Sequence, residues 1–182
     1  MRNVIRKYTI TSQKILLDEE LDQLERLCRK NLGTRSQRDA LIILIAIKTG
    51  ARASEVLRIR RNHFSKTAKT LYIIGLKGSS DREIPIPDFL VREIEYYCKI
   101  KKISSDDRLF NISYDRLYQI WDFFRPVKKK FHSLRHSFAI NVYRKSRDIK
   151  LVQLCLGHRS ILNTMVYLDY VYTQDELRKI LV

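Results

Sequence analysis

Four short stretches carry side chains suited to handling a phosphate ester. In Thr49-Gly-Ala-Arg-Ala-Ser-Glu55, Arg52 follows a glycine suited to ending a helix, and Glu55 lies three residues on, within reach on one helical face. A carboxylate that holds a guanidinium still leaves a planar fork matched to two phosphate oxygens. The same pair also reads as an exposed ion pair at a helix start. In His132-Ser-Leu-Arg-His136, His132 and Arg135 are three apart and can address one point at a helix N-terminus, where an anion is favoured. His136 lies one position beyond and is expected to face differently. A polar helix start on a basic surface is the plainer reading of this stretch.

In Leu156-Gly-His-Arg-Ser160, Gly157 stops a helix, His158 stands in the turn and Ser160 is placed to cap the next helix. Tyr167 follows His158 by nine residues, about two turns into that helix. A phenol becomes a nucleophile when a base takes its proton, although packing explains any one tyrosine equally well. Lys77, in Gly75-Leu-Lys-Gly78, is a solvated turn residue or a lysine that a hairpin carries into a DNA groove.

The elements that must position these groups follow from periodicity. Asp18 is expected to cap a helix to about residue 30, with Leu21, Leu24, Leu27 and Cys28 at helical spacing. Gln37 to Thr49 reads as a second helix, apolar almost all round and therefore central, ended by Gly50. A short helix is expected over 53–58, and a β-hairpin with strands near 70–76 and 82–86 around the Gly-Ser-Ser-Asp cluster. Further helices are expected from Asp88 to about 102, over 115–125 before Pro126, with Ser133 as N-cap over 133–145, and over 148–156, 160–168 and 174–181. Residues 1–17 read as a basic arm or first strand. The fold class is mainly α with a small antiparallel β-sheet, in one domain over residues 1–182.

Charge narrows the partner. Thirty-six Lys and Arg against 20 Asp and Glu give +16. Such an excess suits a polyanion, nucleic acid before anionic membrane. The longest apolar run, Ala40 to Ile47, is far too short to cross a bilayer, and the basic N-terminus does not read as a secretory signal. Cys28, Cys98 and Cys155 are odd in number and widely spaced, so reduced core thiols in a cytoplasmic protein are expected. No CxxC, HExxH or EF-hand pattern appears, and neither a metal nor another cofactor is expected.

Taken together, the boxes are more specific than any one of them. TGARASE resembles the first arginine box of the tyrosine recombinase, or phage integrase, family. HSLRHSFA resembles its His-x-x-Arg box, and LGHRSILNTMVYLDY its closing Leu-Gly-His box, with the tyrosine nine residues after the histidine. The resemblance runs from about Leu17 to the end and includes the hairpin lysine. It implies the tyrosine recombinase catalytic-domain fold, similar to single-domain fimbrial-switch or Xer-like members, without the separate N-terminal domain that most members carry.

The resemblance implies a site-specific recombinase that cleaves and rejoins DNA through a 3′-phosphotyrosyl intermediate, without metal or ATP. Tyr167 is the implied nucleophile, its spacing preferred over that of Tyr170 and Tyr172. His132 is the implied base, and Lys77 the acid that protonates the leaving 5′ oxygen. Arg52, Arg135 and His158 bind the non-bridging oxygens, and Glu55 orients Arg52. Arg82 is expected to touch only the DNA backbone. Lys128, Lys129, Lys130 and Arg159 are candidate contacts to double-stranded DNA because they neighbour the boxes. The tail, with Leu177, Ile180 and Leu181 at helical spacing, is expected to pack in cis or to dock on a neighbouring protomer, giving up to a tetramer on DNA. A nucleoid-associated cytoplasmic location follows. Two alternatives share the fold: a type IB topoisomerase-like nicking-closing enzyme, and a DNA-binding regulator that has lost productive catalysis.

Overall fold

In the computed structural model of the chain, residues 10–76, 78–168, 178, 181 and 182 are described. Among the described residues are eight α-helices, one of them central, and a small sheet. They are α1 (Asp18–Lys30), α2 (Gln37–Thr49), α3 (Ala53–Val56), α4 (Asp88–Lys101), α5 (Tyr114–Phe124), α6 (His132–Ser146), α7 (Ile149–Leu156) and α8 (Leu162–Met165). The strands are β1 (Phe64–Ser65), β2 (Thr70–Ile73) and β3 (Arg82–Pro85), in the order β1-β2-β3 and antiparallel throughout.

The continuous apolar run of α2 has the expected consequence. Every residue from Ala40 to Ala46 is fully buried, and α1, α3, α4, α5 and α6 all pack on this helix. Gly50 ends it with a left-handed φ of 62°, and the Gly50 amide donates to the Ala46 carbonyl. α1 keeps its expected span, but Asp18 lies inside the first turn. The cap is formed by Glu20, whose carboxylate accepts from the Leu17 amide at 2.8 Å. Acidic residues crowd its first turn and Arg29 and Lys30 its last, matching the helix dipole.

Within the sheet, side chains alternate. Leu71 and Ile73 of β2 are buried, as are Arg82 and Ile84 of β3, while Tyr72, Glu83 and Pro85 face solvent. The register pairs Ile73 with Arg82 and Leu71 with Ile84. β3 packs against α7, so the far end of the hairpin reaches the glycine that closes that helix.

Several local expectations are corrected. β1 was not foreseen, because two residues are too few to show a period. The described part of the expected arm is tied down. Ile10, Ile15 and Leu16 are buried, Ser12–Lys14 form a single 3-10 turn, and the Leu16 amide and carbonyl both bond the Ser137 hydroxyl on α6. Ser133 does not cap α6; the helix starts at His132, and Ser133 is buried in its first turn. α8 is a single turn and Ser160 offers it no side-chain cap, so Tyr167 lies just beyond the helix rather than two turns into it. Cys28 and Cys98 are buried thiols, whereas Cys155 is only partly covered. The expected tail helix and residues 1–9 fall outside the described residues, apart from residues 178, 181 and 182 in the tail. No helix among the described residues is long and apolar enough to cross a membrane.

Candidate active site

Glu55 is the centre of the site. Its side chain is fully buried in α3, within reach of three guanidinium groups. Oε1 lies 3.0 Å from Arg52 and Oε2 lies 2.7 Å from Arg82, with a longer second Arg82 contact of 3.4 Å to Oε1. Arg135 approaches Oε2 at 3.7 Å, and the Arg52 amide donates to the same oxygen at 2.9 Å. Burial pushes the Glu55 pKa up. The Arg82 hydrogen bond and charge, the Arg52 amide and the Arg135 charge outweigh it and hold the carboxyl below its usual range. Three cations face one anion, which leaves two positive charges in a setting that is open to solvent only on the Arg52 side.

Arg135 is held differently. Its side chain is 1% exposed and spans the ends of two helices, donating to the Gly50 carbonyl at 2.9 Å and the Leu156 carbonyl at 2.6 Å. Those carbonyls belong to the negative C-terminal ends of α2 and α7, which favour a cation. Burial, with the neighbouring Arg52 and Arg82 charges, lowers its pKa to about 9, so it is still cationic at neutral pH. Both helix ends require glycine. A Cβ on Gly50 would meet Phe138 Cδ1 at 2.4 Å, and one on Gly157, with φ at 67°, would meet the Ser80 carbonyl oxygen at 2.4 Å.

The Gly157 turn also docks the hairpin. The Ser80 amide donates to the Gly157 carbonyl at 2.8 Å, and Ser79 bridges to His158. Ser79 in turn accepts a hydrogen bond from Arg52. Lys77, two residues before Ser79, lies outside the described residues.

His132 and His158 border the cation cluster. His132 is exposed at one edge while its ring packs against that of His136, and His158 is half-buried with Nδ1 2.9 Å from the Thr164 hydroxyl. Burial first, then the charges of Arg135 and Arg52, lower both pKa values to about 4. Both rings are therefore neutral at pH 7 and free of the proton that would prevent them from accepting another.

Tyr167 is 2% exposed, in a second apolar cluster with Ile15, Ala139, Ile140, Val152 and Leu156. Its hydroxyl lies 3.0 Å from His136 Nδ1. His136 does not face away from the site. Four residues on a helix turn through 400°, so His136 lies only about 40° from the azimuth of His132. The two rings meet edge to face with centroids 4.6 Å apart.

Arg52, Glu55, Arg135, His132 and His158 are thus brought together, with Tyr167 beside them. The basic run is divided: Lys128 and Lys130 are exposed, while Lys129 makes a 2.7 Å ion pair with Glu20 and its carbonyl accepts from the Trp121 indole. Arg159 is exposed.

The sequence matches the phage integrase family over residues 14–174. The chain belongs to the phage integrase family. The chain is 31% identical over 168 residues to tyrosine recombinase XerA of Pyrococcus furiosus, a match covering 86% of this chain and 57% of that protein. Its fold is similar to that of XerH site-specific recombinase bound to palindromic difH substrate in a post-cleavage complex. There the TM-score is 0.75 at 25% identity, over 93% of this chain and 53% of that one. It is also similar in fold to the catalytic domain of bacteriophage HP1 integrase, with a TM-score of 0.65 at 24% identity, over 92% of this chain and 94% of that one. The chain spans about half the length of the relatives it matches.

Two residues of the site escaped sequence reasoning. Arg82 is buried against Glu55, not directed at a DNA backbone, and its Nε has no hydrogen-bond partner among the described residues. The signal was present: Arg82, Ile84 and Ile86 alternate on one strand face, and a cation in register with buried isoleucines needs a carboxylate partner. His136 was visible as the i+4 neighbour of His132.

Proposed function

We propose that this chain is the catalytic domain of a site-specific DNA recombinase, and that residues 1–182 form that one domain. The observation that carries the reading is the cluster of the partly exposed Arg52 and the buried Arg82 and Arg135 around the buried Glu55. With its two surplus positive charges, it borders two neutral histidines and a tyrosine. A phosphodiester carries one negative charge, and the pentavalent transition state of its displacement gathers more on the non-bridging oxygens. Fixed donors that need no reorganisation stabilise that charge most.

In the proposed reaction the Tyr167 oxygen attacks the scissile phosphorus while its proton passes to His132. The bond from phosphorus to the 5′ oxygen breaks, and Lys77 protonates that oxygen as it leaves. A 3′-phosphotyrosyl ester and a free 5′ hydroxyl result. Attack of a 5′ hydroxyl from another strand reverses the step and frees Tyr167. Arg52, Arg135 and His158 hold the phosphate oxygens, and Glu55 fixes Arg52. The ester conserves the energy of the broken bond, so rejoining needs no ATP. Lys128, Lys130 and Arg159, which are exposed, suit contacts to flanking phosphates of double-stranded DNA, and Lys129 lies between the first two. Self-association through the tail, up to a tetramer on DNA, would pair two duplexes for exchange.

The test is a nicked duplex carrying a candidate site, which traps a covalent intermediate because the cleaved fragment diffuses away. A denaturation-resistant protein–DNA adduct is expected, and Tyr167→Phe is expected to abolish it. Binding to the protein's own site with no adduct would refute the enzyme and leave a DNA-binding protein.

A further inference from the structure

His136 has no part in the reaction described above, yet it touches the atom that would start it. Its ring is 6% exposed, and Nδ1 lies 3.0 Å from the Tyr167 hydroxyl. The direction of this hydrogen bond follows from chemistry. Burial, then His132 and Arg135, lower the His136 pKa to about 3, so the ring is neutral and carries one proton. A phenol has an ordinary pKa of about 10 and keeps its own proton at neutral pH. Between a phenol and a neutral imidazole, the better donor is the O–H and the better acceptor is the unprotonated ring nitrogen. The phenol therefore donates to Nδ1, and the ring proton sits on Nε2.

Enclosed with the phenol and away from solvent, this nitrogen holds the hydroxyl where it stands. Where the hydroxyl is held matters. Tyr167 is 2% exposed, its ring enclosed by side chains of α6 and α7, whereas His132 and His158 are open to solvent at the edge of the cation cluster. A phosphate arriving from solvent therefore meets the two histidines and the partly exposed Arg52 before the buried phenol. In-line attack requires the phenol to give up this bond and move.

We propose that His136 is a positioning residue that holds the nucleophile in reserve: it accepts the Tyr167 hydroxyl through Nδ1 and keeps it withdrawn from the phosphate site until DNA is engaged. The consequence for cleavage rests on Tyr167 being the nucleophile; the contact itself does not. A single neutral hydrogen bond of this kind shifts the balance between held and released forms by about two- to twelve-fold.

The experiment uses the full chain with ¹⁵N-histidine and ¹³Cζ-tyrosine labels, in wild type, His136→Leu and His136→Asn. Leucine removes the acceptor; asparagine places an amide oxygen near the Nδ1 position. Without DNA, the wild-type His136 Nδ1 is expected to resonate as an unprotonated nitrogen. The Tyr167 Cζ signal is expected to move in His136→Leu and to stay close to wild type in His136→Asn. On the nicked duplex, His136→Leu is expected to form adduct about two- to twelve-fold faster than wild type, and His136→Asn to restore the slower rate.

A protonated Nδ1 in the wild-type protein, or a Tyr167 signal indifferent to His136→Leu, overturns the proposal, and the first of these decides even if the leucine variant does not fold. A folded His136→Leu that cleaves more slowly than wild type also overturns it while leaving the recombinase reading intact. A wild-type chain with the expected spectra and no adduct sinks the recombinase reading and leaves the holding contact standing.

Discussion

Replacing Glu55 by glutamine removes the negative charge at the meeting point of three guanidinium groups while keeping the side chain's size. The amide oxygen can still accept one or two bonds. The amide nitrogen, however, presents hydrogens to N–H donors that now lie 2.7 to 3.7 Å from carboxylate oxygens. The side chain is fully buried, so water cannot relieve the conflict. Removing one partner of a buried ion pair costs about 3–5 kcal/mol, because the remaining charges stay desolvated and unpaired. That is a large share of a total stability of roughly 5–15 kcal/mol. With a urea m-value of about 2–3 kcal/mol/M, the unfolding midpoint is expected to fall by about 1–2.5 M. The single tryptophan, Trp121, is 1% exposed and reports the transition by fluorescence.

The gap between wild type and Glu55→Gln should also depend on pH. The Glu55 pKa is lower in the folded protein than in the unfolded chain, where it is near 4.3. Its contribution is therefore present above that value and lost as pH falls through the depressed folded pKa, so the gap narrows in acid. A midpoint shift under about 0.3 M at pH 7, or a gap that does not depend on acid, would refute the central place given to this carboxylate.

Further predictions follow from the same geometry. Arg82→Lys replaces a fork by a single ammonium, which can meet only one Glu55 oxygen well; a loss of about 1.5–3 kcal/mol in urea unfolding is expected, and a neutral result would mean that the fork is dispensable. Gly33 and Gly157 have similar left-handed backbones, φ 72° and 67°, but a Cβ on Gly33 meets nothing within 4 Å. Gly33→Ala is expected to cost about 1–2 kcal/mol from strain alone and Gly157→Ala clearly more, so equal losses would argue against the close approach of Ser80. His132, His136 and His158 have folded pKa values of about 4, 3 and 4, below the ordinary 6.5. The unfolded chain takes up these protons first, so the urea midpoint should decline between pH 6.5 and 5; a flat profile there would contradict the neutral histidines.

What was legible in the sequence was whatever a local pattern sufficed to specify. The span of α2 follows from an unbroken apolar run stopped by Gly50, and that of α1 from four apolar positions at helical spacing. The clustering of Arg52, Arg135 and His158 was legible only through the resemblance, since their separations in sequence say nothing of distance. What stayed hidden depended on contacts between distant segments. Arg82 needed Glu55, 27 residues away, to explain its burial, and His136 needed Tyr167, 31 residues away. The brevity of α8 is a related case. Its residues permit a longer helix, and the chain instead turns so that Tyr167 can enter the apolar cluster beside α6.

Arg135 joins the closing carbonyls of α2 and α7, and that bond pattern gives one side chain two duties. It is a tie rod between the innermost helix and the segment that carries His158, as well as a group proposed to hold the substrate phosphate. Losing it would loosen the scaffold along with the proposed chemistry, whereas losing the phenol oxygen of Tyr167, the proposed nucleophile, would end strand cleavage and leave the frame intact. Descendants that keep the shape but abandon strand cleavage should therefore shed the tyrosine first. A well-folded silent relative with the tyrosine present and this arginine replaced would count against that order of loss.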